Sequence, residues 1–299
     1  MKRWCVLLAV LAMPSEALAQ GEAVDWFRLG AQELATGALE KATEAYEKGV
    51  AAKPDAREGW YNLGIVYGRR RLFQKESEAY LKAIELDPAY ANALHNLGLA
   101  YLDLGQKDKA IDVLKKMVNL QPDAGDAWNN LGFAQLDKGD FEAARKSFAR
   151  SCETAPLSAD PRFNLGVSLM RAAEKETSTA RRDPLLKEAL AAFEEAIRLD
   201  PANFRAAFNQ GVIQNRLGNA DASVEAYQRT LSIRPEYPQA HYNLAAVLSA
   251  RGQLEEALKA WETYVNAGQG DKNEKAFLDN ARKEISRLKS LLPPSAQTP

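Results

Sequence analysis

The chain has 299 residues, with 39 basic and 40 acidic side chains and a formal net charge of −1 at pH 7. That balance gives no electrostatic reason to bind nucleic acid or an anionic membrane surface. Its two histidines, His95 and His241, stand far apart with no second histidine or cysteine at metal-ligand spacing, so no metal site is expected.

The first 19 residues have the zones of a secretory signal. Lys2 and Arg3 supply a positive start, Trp4–Met13 an apolar stretch, and Ala17-Leu18-Ala19 an A-x-A cleavage site. The apolar stretch falls short of the roughly 20 residues that span a bilayer. The expectation is therefore an exported chain beginning near Gln20, periplasmic or secreted, with no stable membrane insertion. Cys5 follows Lys-Arg-Trp instead of the small residues of a lipoprotein signal, which argues against a lipid anchor.

From there a fixed period takes over. Gly30, Gly64, Gly98, Gly132 and Gly166 recur every 34 residues, as do Pro54, Pro88, Pro122 and Pro156. Both series then step by 45, to Gly211 and Pro201, and Pro235 restores the step of 34. The spacing predicts units at about 23–56, 57–90, 91–124, 125–158, 159–203, 204–237 and 238–271. Within 91–105, Leu94, Leu97, Tyr101 and Leu104 recur at three- and four-residue steps, an amphipathic helix ended by Gly105. Within 107–120, Ala110, Leu114, Met117, Val118 and Leu120 form a second apolar stripe, stopped by Pro122. Each helix pair leaves an apolar face that only a neighbour can cover, so the units must stack into an all-α solenoid. The fifth unit carries an 11-residue insertion between Gly166 and Ala189, with Asp183-Pro184 reading as a helix start. A capping helix is expected over 272–292, with a disordered tail over 293–299.

In unit 125–158, Trp128, Leu131, Gly132, Gly139, Ala144, Phe148 and Pro156 fit W-x2-L-G…G…A-x3-F…P. That pattern resembles the tetratricopeptide repeat family, and seven tandem matches extend the resemblance over 23–271. The resemblance implies a right-handed superhelix of about seven helix-turn-helix repeats with a concave groove that binds a protein or peptide partner. Exported bacterial relatives with this layout often serve envelope assembly, secretion or pilus biogenesis.

No P-loop, nucleophile elbow or dinucleotide fingerprint is present, so neither catalytic residues nor a cofactor are expected. The constellation that stands out is a ladder. Asn62, Asn96, Asn130, Asn164, Asn209 and Asn243 share one register in six consecutive repeats, where the first repeat has Arg28. By resemblance this position faces the groove, where an amide both donates and accepts and so suits a peptide backbone. The peptide-binding superhelix of O-GlcNAc transferase carries a similar ladder; inherited consensus with a packing role is the other reading. Around it, Asp103, Asp126, Asp137 and Asp160 fall at expected groove positions of the middle repeats, and Arg171, Arg205 and Arg216 at those of the fifth and sixth. A bound segment would then be bipolar. Arg205, Asn209 and Asn243 match part of the carboxylate clamp of chaperone-binding relatives, but Phe277 stands where its last basic residue would, so carboxylate capture is not expected.

His95 aligns with Phe27, Tyr61, Phe163, Phe208 and Tyr242, and these aromatic residues also fit an alternative, a glycan- or peptidoglycan-binding module. His241 aligns with Trp26, Trp60 and Trp128 and reads as a packing residue. Cys152 aligns with Val50, Ile84, Val118, Ile197, Leu231 and Val265, and reads as a buried small hydrophobe.

Overall fold

The computed structural model describes residues 15–267 and 275–293, with side chains from Ala23 onward. Every regular element among them is an α-helix. The odd-numbered helices are α1 (Ser15–Ala35), α3 (Arg57–Arg69), α5 (Ala91–Asp103), α7 (Gly125–Lys138), α9 (Ala159–Lys175), α11 (Phe204–Arg216), α13 (Pro238–Ala250) and α15 (Lys275–Leu291). The even-numbered ones are α2 (Leu39–Ala52), α4 (Phe73–Leu86), α6 (Lys107–Leu120), α8 (Phe141–Thr154), α10 (Thr179–Leu199), α12 (Ala220–Ile233) and α14 (Leu254–Ala267). Residues 1–14 of the expected signal lie outside the described residues, whereas Ala17–Ala19 are helical backbone within α1. No helix among the described residues is long and apolar enough to cross a membrane.

The periodic glycines are places where a helix pair closes tightly. A Cβ at Gly64 would lie 2.4 Å from the Tyr80 ring, and one at Gly166 would lie 2.7 Å from the Phe193 ring. A large residue of α2, α4, α6, α10 and α12 thus sits on the glycine of its partner helix, and a side chain at those glycines would wedge the pair apart. The periodic prolines do a second job. The Trp60 indole N–H donates to the Pro54 carbonyl and that of Trp128 to the Pro122 carbonyl, each at 2.8 Å. His241 repeats the contact, with Nε2 2.8 Å from the Pro235 carbonyl oxygen. A carbonyl only accepts, so Nε2 carries the proton, and His241 serves as the packing residue its register suggested.

The chain forms two compact units that divide after Lys138. In the first, Tyr46, Val50, Leu63 and Val66 head one core, and Leu94, Leu97, Leu114 and Leu131 another. In the second, Leu169, Leu186, Phe193 and Ile213 form one core, and Tyr227, Leu248, Trp261 and Leu288 another. The cap behaves as expected, since α15 buries Leu278, Ala281 and Leu288 against α14 while Lys275, Arg282 and Lys283 stay exposed. Each buried leucine contributes about 1.5–3 kcal/mol. Residues 268–274, which include the expected start of the cap helix, and 294–299 of the tail lie outside the described residues.

Two expectations need correction. Asp183-Pro184 does not start a helix: α10 begins at Thr179 and Pro184 lies inside it. The insertion becomes helix, with α9 at 17 residues and α10 at 21 against 14 for most even helices, joined only by Glu176–Ser178. Cys152 is half-buried, not sealed in core. In the first unit the equivalent aliphatics Val50 and Val118 share core clusters with Trp60 and Trp128. The residue at the indole position after Cys152 is Arg162, and the two instead line an open cleft of about 360 Å³ with Leu165 and Ala192.

Candidate functional site

Within each unit the odd helices also touch one another, α5 with α7 and α11 with α13, while no even pair meets as closely. In each unit the odd helices therefore lie together on one side, and that face of each unit is the candidate site. All six ladder asparagines are on these helices and all are half-buried.

Their amides are partly used within the fold. Asn96 Nδ2 lies 3.3 Å from both Tyr61 Oη and Tyr80 Oη. Asn130 Nδ2 lies 2.8 Å from His95 Nε2. An amide nitrogen only donates, so His95 Nε2 accepts and the ring is neutral. Burial agrees, pushing the His95 pKa down against the opposing pull of Asp126. In the second unit, Asn243 bonds the Tyr227 phenol, the same relation as Asn96 to Tyr80. Asn280 in the cap extends the scheme, donating to Tyr242 Oη at 3.0 Å. The ladder thus ties α5, α7 and α13 to an aromatic or imidazole group of the preceding pair. What it leaves open is the Oδ1 acceptor of Asn96, Asn130 and Asn243, and both ends of the amides of Asn62 and Asn209, which have no side-chain partner among the described residues.

The aromatic residues beside the ladder are wedges. Phe27 packs on Tyr46, Tyr61 on Tyr80, Phe163 on Phe193, Phe208 on Tyr227 and Tyr242 on Trp261, with ring centroids 4.9–6.4 Å apart. Half-buried rings committed to neighbours are poorly placed to stack on sugars, so nothing in the geometry favours the glycan reading.

The expected charge pattern is also changed. Arg171 and Arg216 both pair with Glu174, each at 3.0 Å. Burial alone would raise the Glu174 carboxyl, but the two guanidinium groups hold it below the usual range. These two arginines therefore share one carboxylate within the fold, and of the three only Arg205 has no carboxylate within ion-pair distance among the described residues. On the acidic side, Asp137 pairs with Lys107 at 2.8 Å.

Two features of this face escaped the sequence reading. The first is an apolar column one turn beyond the wedge position, Ile65, Leu99 and Phe133 in the first unit and Val167 and Val212 in the second. Phe133 is 50% exposed. The 34-residue register carried this signal but the glycines and asparagines obscured it. The second is an open pocket of about 290 Å³ lined by Phe208, Gln239, Tyr242, Asn243, Tyr264 and Phe277. Phe277 of the cap stands 34 residues after Asn243, at the ladder register, but that spacing alone does not show a ring there closing a pocket with Tyr242 and Tyr264.

Comparison with known proteins gives a consistent result. Family models described as Tetratricopeptide repeat or TPR repeat match residues 27–91, 79–112, 98–139, 125–156, 186–238 and 215–277. A tetratricopeptide repeat and J domain-containing co-chaperone from Cryptococcus neoformans, DNJ1, is 30% identical over 77 residues, 26% of this chain and 15% of that protein. The chain thus spans only a small part of that relative. Among solved structures, a tetratricopeptide repeat protein from Parabacteroides merdae superposes with a TM-score of 0.61 at 14% identity, covering 88% of this chain and 99% of that one. YrrB, described as a TPR protein with an unusual peptide-binding site, superposes with a TM-score of 0.56 at 23% identity, covering 67% and 97%. At these identities the likeness speaks for the fold alone. With the family models covering most of the region from Phe27 to Phe277, the chain belongs to the tetratricopeptide repeat family.

Proposed function

We propose that the protein is a non-catalytic scaffold that holds a segment of a partner polypeptide along the odd-helix face, outside the cytoplasm after removal of residues 1–19. The observation that carries this reading is the ladder itself. Several half-buried amides in one register keep an unpaired carbonyl oxygen, which is the group needed to accept N–H bonds from an extended backbone. Each such bond contributes only about 0.5–1.5 kcal/mol net, so specificity must come from the side chains around it. The export half of the proposal rests on Lys2-Arg3, the apolar stretch and Ala17-Leu18-Ala19.

Crosslinking in the native envelope, followed by identification of the captured chain, tests the scaffold reading. With that partner in hand, Asn62→Ala with Asn209→Ala should weaken binding about 10-fold, from two lost bonds, and leave the melting temperature unchanged. Asn96→Ala with Asn130→Ala should lower the melting temperature as well, because those amides also tie helix pairs together. Unchanged affinity in the first pair would assign the ladder to packing. N-terminal sequencing of the extracytoplasmic protein should begin at Gln20; an intact Met1 form recovered from the cytoplasm would refute export.

A further inference from the structure

We infer that the pocket at the end of the odd-helix face receives one aromatic or bulky aliphatic side chain of a bound segment whose neighbouring residues are acidic. The inference rests on the scaffold reading and specifies what the segment must contain.

The pocket is prepared for an apolar group. Its side walls are rings, and their positions are fixed. Tyr242 meets Trp261, Tyr264 and Phe277 edge to face, with centroids 4.9, 5.3 and 5.5 Å away. Its hydroxyl accepts from Asn280 at 3.0 Å. Phe277 is 53% exposed although Leu278 beside it is buried. The cap is anchored by Leu278, Ala281 and Leu288, so Phe277 is left over from core formation and faces the opening. An apolar cavity of about 150 Å³ accepts benzene, so about 290 Å³ takes a phenyl or isobutyl group with part of its backbone. No charged side chain among the described residues lines it, and a charged group entering would lose water without gaining a partner there. At the rim, Asn243 and Gln239 offer amide groups to the flanking backbone.

The charge beside the pocket sets the neighbours of that side chain. Gln239 of α13 is equivalent to Arg205 of α11, so Arg205 continues the pocket's face by one repeat. Phe208, a pocket wall, packs on Tyr237 at 5.1 Å, and Tyr237 on Phe204 at 5.2 Å. The Phe204 ring lies under Arg234 at 4.9 Å and near Arg205 at 5.8 Å. Both guanidinium groups are exposed, and neither has a carboxylate within ion-pair distance among the described residues. Two unneutralised cations two rings from an uncharged pocket complement a segment with acid next to its apolar anchor.

The test uses the full-length protein and the acetylated, amidated peptide Gly-Asp-Phe-Asp-Gly, with binding followed by NMR shifts of the protein. Binding should be lost when the peptide's phenylalanine becomes alanine, and should weaken about tenfold when both aspartates become lysines. Phe277→Ala should weaken it about tenfold, with only a small drop in melting temperature from the lost contact with Tyr242, and Arg205→Glu several-fold with the melting temperature unchanged because that side chain is exposed. Equal affinity of the Phe277→Ala variant, or equal affinity for the lysine peptide, overturns the proposal. So does a dimer in sedimentation that Phe277→Ala dissociates, since a second copy would then occupy the pocket. If the crosslinked partner is released by Asn62→Ala with Asn209→Ala but not by Phe277→Ala, this inference fails while the scaffold reading stands.

Discussion

Glu76 stands where the other six helix pairs carry Ala42, Ala110, Ala144, Ala189, Ser223 and Ala257, and its carboxyl is buried. The space comes from Gly68, which replaces the Leu34, Leu102, Leu136 or Met170 of equivalent positions; a Cβ there would lie 2.5 Å from Glu76 Oε1. Burial, with Asp103 adding to it and Tyr80 opposing, pushes the Glu76 pKa up to about 7. Because the folded value lies above the unfolded one, the acid form favours folding. Its stabilisation is complete below about pH 4.5 and is lost as pH rises through 7. The first unit should therefore melt at higher temperature at pH 5 than at pH 8. Glu76→Gln should remove that difference, leaving stability at pH 5 nearly unchanged and adding on the order of 2 kcal/mol at pH 8. An unaltered pH profile in the Gln variant, followed by calorimetry, would show that the carboxyl is not protonated on folding. Restoring the common pair through Glu76→Ala with Gly68→Leu should be more stable than either single change, since the two positions share one space. At Cys152 the same residue-level view gives a smaller effect. Burial raises its thiol pKa while Arg162 opposes. With a cleft beside it, Cys152→Val should be neutral or slightly stabilising by thermal melt.

At the scale of the element, helix ends were legible because the residues that make them have few substitutes. Gly37, Gly105, Gly139, Gly218 and Gly252 all take positive φ at the turn inside a repeat. Arg71 holds the same turn at φ 59°, a conformation that costs a side-chain-bearing residue about 1–2 kcal/mol. Arg71→Gly should recover about 1 kcal/mol of that, read as a higher denaturant midpoint with unchanged slope; a lower midpoint would mean that its contact with Phe73 outweighs the strain. The insertion was misread for the opposite reason. A proline after an aspartate is compatible with a helix start, and nothing local reveals that α10 has already run five residues before Pro184. Long-range contact decides it, because Leu186 and Ala189 are buried with Ala173 of α9 and set the helix axis. The site was legible in part for a related reason. The ladder's register could be read from spacing alone, whereas the hydrogen bonds that occupy its amides depend on Tyr61, Tyr80 and His95, which vary between repeats.

At the scale of the whole chain, a solenoid's stability is roughly a sum of repeat terms and neighbour terms, so one poor junction opens before the rest. The sequence marks that junction between the fifth and sixth repeats, where Arg162 and Ala207 replace large residues and Gln210 replaces a leucine. The buried core of the second unit does not divide there: one core joins Leu169, Leu186 and Phe193 of the fifth repeat to Ala206, Ala207 and Ile213 of α11, and the next begins with Val224 and Tyr227 of α12. What marks the junction is the single polar position. Gln210 lies on an open cleft of about 380 Å³ with Glu194, Ile197, Arg198, Pro201 and Arg229, so water reaches a position that a leucine would close. Losing the burial of one leucine costs about 2–3 kcal/mol, enough to separate local opening from global unfolding in hydrogen exchange. Amides of α11 should exchange faster than those of α5, and Gln210→Leu should slow them by up to about 100-fold without changing α5. Such an opening would also let the face that carries Arg205 and Asn209 adjust around a bound segment. Equal protection of α11 and α5, or a Gln210→Leu variant with unchanged exchange, would place the weakest junction elsewhere in the stack.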